Sequence, residues 1–282
     1  MRYFLLLTAL FCNGITSAQN NVSVKEDWDF VMYLIGNGFK DEAVTLVNNV
    51  QSDSDSIYFL KGFTFYSSKM LDLATDNFEK IKQASALFNE SKFFSALSNS
   101  HLYRLDKAKF DLNQIVSQDD EIINLKTFEF AGISLLSRDK ENFNKYINQV
   151  DSNDFAISEE IKQLKRIEKQ IDSYRKKYKW VAGGLSAIVP GLGKLYAGNV
   201  GEGLAAFLTC GSLIGITAEN YYKKGITNWK TILFGTLSTI FYVGNIYGSA
   251  VGVKVNCENF NQRMNVQILY NIHIPIRNRF RY

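Results

Sequence analysis

The chain has 282 residues, with 32 Lys plus Arg against 28 Asp plus Glu and a net charge of +4. That length fits one large domain or two modest ones, and so mild a charge argues against a nucleic-acid partner. Two prolines set against 21 phenylalanines and 15 tyrosines favour long helices with bulky seams over a loop-rich β-sandwich.

The N-terminus reads "MRYFLLLTALFCNGITSAQ". Arg2, the apolar run from Tyr3 to Cys12 and the small residues Thr16-Ser17-Ala18 predict a signal peptide over residues 1–18, cleaved after Ala18. Its apolar part is too short to span a bilayer. Cys12 follows bulky Leu10 and Phe11, where a lipidation site would need small residues. Cys210 and Cys257 are then two unpaired thiols, and His101 and His273 stand alone, so no metal, cofactor or catalytic dyad is expected.

Residues 19–153 carry a repeat. "DEAVTLVNNV", "DLATDNFEKI" and "DKAKFDLNQI" each place an alanine four residues before one apolar residue and seven before another. The sets are Ala43, Val47, Val50; Ala74, Phe78, Ile81; and Ala108, Leu112, Ile115, with alanines 31 and then 34 residues apart. A fourth segment, "KENFNKYINQV", puts Asn142 at the alanine position and Tyr146 after it. Spacings of four and three share one helical face, where the small residue admits a neighbouring helix and the larger ones fill the gap. A second apolar helix precedes each set, with Leu60, Phe94 and Phe128 recurring every 34 residues. An irregular bundle would have to produce three matching sets by accident.

Such helix-turn-helix units resemble the tetratricopeptide repeat family. The resemblance covers about residues 27–150 and lacks the proline that often closes each unit. It implies an all-α solenoid whose concave surface binds a protein or peptide.

Residues 154–180 read "DFAISEEIKQLKRIEKQIDSYRKKYKW". Ile157, Ile161, Leu164, Ile167, Ile171, Tyr174 and Tyr178 form a narrow apolar seam, predicting one linker helix of about 26 residues, roughly 39 Å long. Its basic end, Arg175, Lys176, Lys177 and Lys179 with Trp180, precedes an apolar segment and reads as a membrane-interface anchor.

Residues 181–256 contain three apolar stretches, Val181 to Val189, Leu204 to Ala218 and Thr231 to Val253. Pro190-Gly191 breaks the first, which becomes a half-helix before two expected membrane spans. Gly211 with Gly215, and Gly244, Gly248 and Gly252, repeat the GxxxG spacing that lets helices approach closely in lipid. Asn245 should hydrogen-bond across that hairpin or to another subunit. "GLGK" fails as a phosphate loop, because Ile188 stands where the first glycine belongs and Leu195 where Ser or Thr belongs. Lys194 is expected to reach the interface or pair with Glu202. Pro190, Gly191, Gly193, Tyr196 and Gly198 make a Pro-Gly-x-Gly-x-x-Tyr-x-Gly core that resembles the two-span glycine-hairpin domains of bacterial membrane proteins; the resemblance implies membrane embedding.

The polar tail, residues 257–282, alternates Val266, Ile268, Tyr270, Ile272 and Ile274, a pattern that fits one strand or a poorly ordered end. The expected whole is a non-enzymatic scaffold in the bacterial envelope. Its exported, periplasmic repeat domain would recruit proteins, in membrane-protein assembly or envelope biogenesis. The alternative is a homo-oligomeric transport or channel component built from the hairpin.

Overall fold

The computed structural model describes residues 24–151, 154 and 157–280, so the signal-peptide expectation for residues 1–18 lies outside them. Among the described residues the chain is all-helical, with thirteen α-helices and no strand. It divides into two compact units, Met1–Ser158 with Ile272–Tyr282, and Glu159–Asn271.

The first unit holds α1 (Val24–Gly36), α2 (Lys40–Asn49), α3 (Asp55–Ser67), α4 (Leu71–Phe78), α5 (Phe88–His101), α6 (Leu105–Gln114), α7 (Asp120–Leu136) and α8 (Lys140–Ile147). They pack in sequential pairs, α1 on α2, α3 on α4, α5 on α6 and α7 on α8, with each pair against the next. The same turn joins the helices within every pair. Gly38, Lys69, Tyr103 and Arg138 take φ of +84°, +62°, +57° and +61°. The following amide then reaches five residues back, Phe39 to Leu34, Met70 to Phe65, Arg104 to Asn99 and Asp139 to Ser134, all at 2.8–2.9 Å. This left-handed cap satisfies carbonyls that the helix end would leave bare.

Ala43, Ala74 and Ala108 are fully buried, as are Val47, Phe78 and Leu112 four residues after them. The Phe78 ring lies so close to Gly62 of α3 that a Cβ there would meet a ring carbon at 2.6 Å. In the fourth pair the register differs from the sequence reading. Phe143 and Ile147 enter the core at 1 % and 3 % exposure, while Asn142 turns back to Asp139. The left-handed Arg138 lies one residue later than a 34-residue repeat would put it, and the helix after it shifts likewise.

Helix α5 is buried almost all round, including Ser91, Ser95, Ser98 and Ser100. Three of these hydroxyls bond carbonyls of their own helix. Ser95 instead joins Asn99 in donating to Asp111 of α6, at 2.7 and 2.9 Å, with Lys92 3.9 Å from the same carboxylate. Burial pushes Asp111 up despite these partners.

The second unit holds α9 (Ser158–Ser173), α10 (Lys179–Ile188), α11 (Leu192–Ala197), α12 (Val200–Lys224) and most of α13 (Trp229–Phe280). Two expectations fail here. The linker helix stops at Ser173, and residues 174–178 are non-helical. A continuous helix would set Lys179 beside both Arg175 and Lys176, like charges four and three residues apart. The open stretch finds partners instead: Lys177 Nζ donates to the Ala197 carbonyl at 3.0 Å, and the Tyr174 ring stacks on Phe260 at 4.0 Å. The tail is not a strand or a loose end. Residues 257–280 continue α13, and Met264, Ile268, Ile272 and Ile276 are buried at a spacing of four. Val266 and Tyr270, which completed the alternation, are both 65 % exposed on the other face.

Candidate functional site

The last turns of α13, from Ile272, lie against the first helix of three pairs. Ile272 sits on Gly132 of α7, so closely that a Cβ at Gly132 would overlap Ile272 Cγ2. His273 Nδ1 is 2.6 Å from the Tyr66 hydroxyl of α3, and the two rings stack. Phe280 packs on Phe93 and Phe94 of α5, with centroids 5.7 and 6.3 Å apart. Arg279 reaches Asp119 at 2.6 Å and Glu121 at 3.1 Å, at the start of α7. Ile276 is fully buried between these polar contacts.

Burial shifts Tyr66 and His273 toward their uncharged forms. Burial pushes the Tyr66 phenol far up, with Glu129 adding to the shift. Burial, and then Arg277, holds His273 below the ordinary imidazole range. The hydroxyl and Nδ1 share that hydrogen bond, and the imidazole tautomer sets which of them donates. His101 is lowered as well, by burial first and then by His273 and Lys69. Glu129, also buried, is raised well above the usual carboxylate range by that burial.

The sequence reading missed Gly132, Ile272, His273, Ile276, Arg279 and Phe280. A usable signal existed, since Met264, Ile268, Ile272, Ile276 and Phe280 recur every four residues. The alternation and Pro275 masked it.

In the second unit the glycine motif is a tight turn. Gly191 and Gly198 take φ of +90° and +105°. A Cβ on Gly191 would overlap the Gly203 carbonyl, and one on Gly193 the Ala182 carbonyl. The Gly193 amide donates to Ser186 Oγ at 3.0 Å, and that hydroxyl pairs with Ser249 of α13 at 2.7 Å. Tyr196 packs on Ala182, Ala197 and Val253, and its hydroxyl accepts from the Tyr178 amide. Pro190 begins the turn between α10 and α11. The close approaches join α10 to α11 and α11 to α12.

The GxxxG glycines do not form the expected helix seam. A Cβ on Gly211, Gly215 or Gly244 would meet nothing within 4 Å, and Gly248 and Gly252 face side chains of Lys194 and Asn199 at 3.8 and 3.7 Å. Close packing depends on which direction the missing Cβ would point, and spacing alone does not encode that. Asn245 is 6 % exposed, and neither atom of its amide has a hydrogen-bond partner among the described residues. It lies at a cleft of about 540 Å3 with Cys210, Phe241 and the Lys194–Glu202 ion pair, whose charged atoms are 3.6 Å apart.

Of the basic anchor, Arg175, Lys176, Lys179 and Trp180 are exposed, Trp180 at 77 %. Helix α12 is the one helix among the described residues long and apolar enough to cross a membrane. Thr231 to Val253, expected as a second span, falls short because Thr, Ser, Gly and Asn interrupt it. Comparison with protein families, with curated proteins and with solved structures finds no match to this chain.

Proposed function

We propose that the chain is a membrane-anchored helical-repeat scaffold that holds an amphipathic helix of a protein partner at a bacterial envelope membrane. The seat of Ile272–Phe280 on α3, α5 and α7 carries this reading, because it is a groove already shaped to a helix. A tetratricopeptide-like solenoid accounts for the four recurring left-handed turns and the buried alanines. In that solenoid the first helices of the pairs line the binding surface.

A glycine-turn membrane hairpin accounts for α12 and for the apolar side chains that α12 and α13 expose, among them Leu204, Phe207, Leu208, Ile240, Phe241 and Val243. So large an apolar surface requires lipid or a partner. Trp180 with its neighbouring cations, and Tyr222, Lys224 and Trp229 around the loop, suit its two edges. The signal-peptide reading puts the repeats on the periplasmic side, and protease added to spheroplasts tests that by digesting them.

The groove is tested with the chain ended after Asn271 and a labelled peptide of residues 272–282. Saturable binding is expected, and its loss when the peptide carries Ile272→Asp and Ile276→Asp. Equal binding of both peptides, or of neither, overturns the groove.

A further inference from the structure

A cleft of about 930 Å3 opens within the second unit, near the upper end of the size that small-molecule sites occupy, about 300–1,000 Å3. Three elements build it. One wall is the non-helical stretch after α9, with Tyr174 and Lys177. The floor is the left-handed turn at Gly198 and Asn199, where a Cβ on Gly198 would lie 3.4 Å from Lys177 Nζ. The opposite wall is a polar stripe of α13, where Asn256, Asn259, Arg263 and Gln267 share one helical face.

The frame is held internally. Lys177 and Asn256 both donate to the Ala197 carbonyl, at 3.0 and 3.1 Å, and Asn256 reaches Asn199 Oδ1 at 2.9 Å. Arg263, Asn259 and Gln267 line the cleft, and Arg263 pairs with no carboxylate among the described residues. Among the described residues no acidic side chain lines it, and Glu258 on the adjoining turn faces Lys254 at 3.6 Å.

The donor set selects a chemistry. A guanidinium presents a planar fork to phosphate oxygens, and an ammonium adds a second positive charge. Side-chain amides both donate to and accept from hydroxyls. Asn199 precedes the first residue of α12, so the amide end of that helix adds partial positive charge. Since α12 is the candidate span, the cleft lies where it would leave the bilayer, at headgroup depth.

We propose that this cleft binds the phosphate-bearing polyol headgroup of an anionic phospholipid, with Arg263 and Lys177 on the phosphate and Asn259 and Gln267 on headgroup hydroxyls. The lipid source rests on the membrane reading of α12, which carbonate extraction of membranes tests separately.

The test melts the purified full-length chain in detergent with short-chain phosphatidylglycerol, short-chain phosphatidylcholine or glycerol phosphate. Phosphatidylglycerol should raise Tm saturably and phosphatidylcholine should not. Arg263→Gln should melt normally without lipid yet need at least about tenfold more phosphatidylglycerol, the size expected for losing one charge-assisted pair; Arg263→Lys should recover part of the response. Glycerol phosphate matching phosphatidylglycerol would support the site's chemistry and overturn the lipid source. An equal response to the two lipids, or an unchanged response in Arg263→Gln, overturns the proposal.

Discussion

Replacing Gly132 with alanine should push the C-terminal helix out of its groove. The added methyl would overlap Ile272 Cγ2, which branches directly from Cβ and is fully buried. A β-branched side chain is stiff at χ1, so relief requires moving backbone. Overpacking of this kind costs about 1–3 kcal/mol, or about 5- to 150-fold in the docking equilibrium. The contacts it strains are the burial of Ile272 and Ile276, the Tyr66–His273 hydrogen bond and the half-exposed Arg279 ion pairs.

Limited trypsin cleavage after exposed Arg277 reads the open population, as long as reclosing is faster than cleavage. Gly132→Ala should be nicked about 5- to 150-fold faster than wild type. Adding Ile272→Ala removes the clash, so the double variant should be less open than the two single effects combined predict. A wild-type cleavage rate in Gly132→Ala, or simple additivity in the double variant, would refute the steric argument.

The other predictions bear on the seam, the glycine turn and pH. Ala74→Leu and Ala108→Leu should each lower stability by about 1–3 kcal/mol in denaturant melts, because both sites are fully buried at helix contacts. Gly193→Ala should disrupt the second unit and lower Tm, whereas Gly215→Ala, with open space around it, should leave Tm unchanged or raise it. His273 and His101 are both held below the ordinary imidazole value, so the seat favours their neutral forms. Their contribution is present above about pH 6.5 and is lost as pH falls through the depressed values. Amide exchange over residues 272–280, corrected for its intrinsic pH dependence, should therefore accelerate below about pH 6.5 and respond less in His273→Gln.

The helical class and the alanine seam were legible because both follow from local spacing. Ala43, Ala74 and Ala108 mark one face wherever the chain is helical, and their burial needs only a neighbouring helix. The left-handed turns were not legible, since Lys69, Tyr103 and Arg138 carry no signature of positive φ. The fourth pair slipped by one residue for the same reason: its register is set by the turn at Arg138, not by a residue type. Among the glycines, Gly191, Gly193 and Gly198 stood out through the proline and tyrosine around them. Gly211, Gly215 and Gly244 matched a packing motif whose partner the structure does not supply.

The tail carries a consequence for any partner. A segment covalently joined to its own groove competes at an effective concentration of about millimolar. A separate helix present at about micromolar concentration must then bind roughly a thousandfold more tightly to displace it, near 4 kcal/mol. Ile272, Ile276 and Phe280 repeat every four residues, so a partner with the same stripe gains little advantage from apolar contact alone. The difference has to come from the positions where the resident helix is poorly served. One such position is visible at neutral pH: Pro275, which leaves α13 one backbone donor short in the middle of the docked turn. A partner helix with an uninterrupted backbone and an uncharged donor or acceptor at the His273 position would keep the apolar stripe and the bond to Tyr66 and avoid that cost. Acidification weakens the resident at His273, whereas protonation of His101 on α5 would act on resident and partner alike, so only the His273 share would favour exchange at low pH.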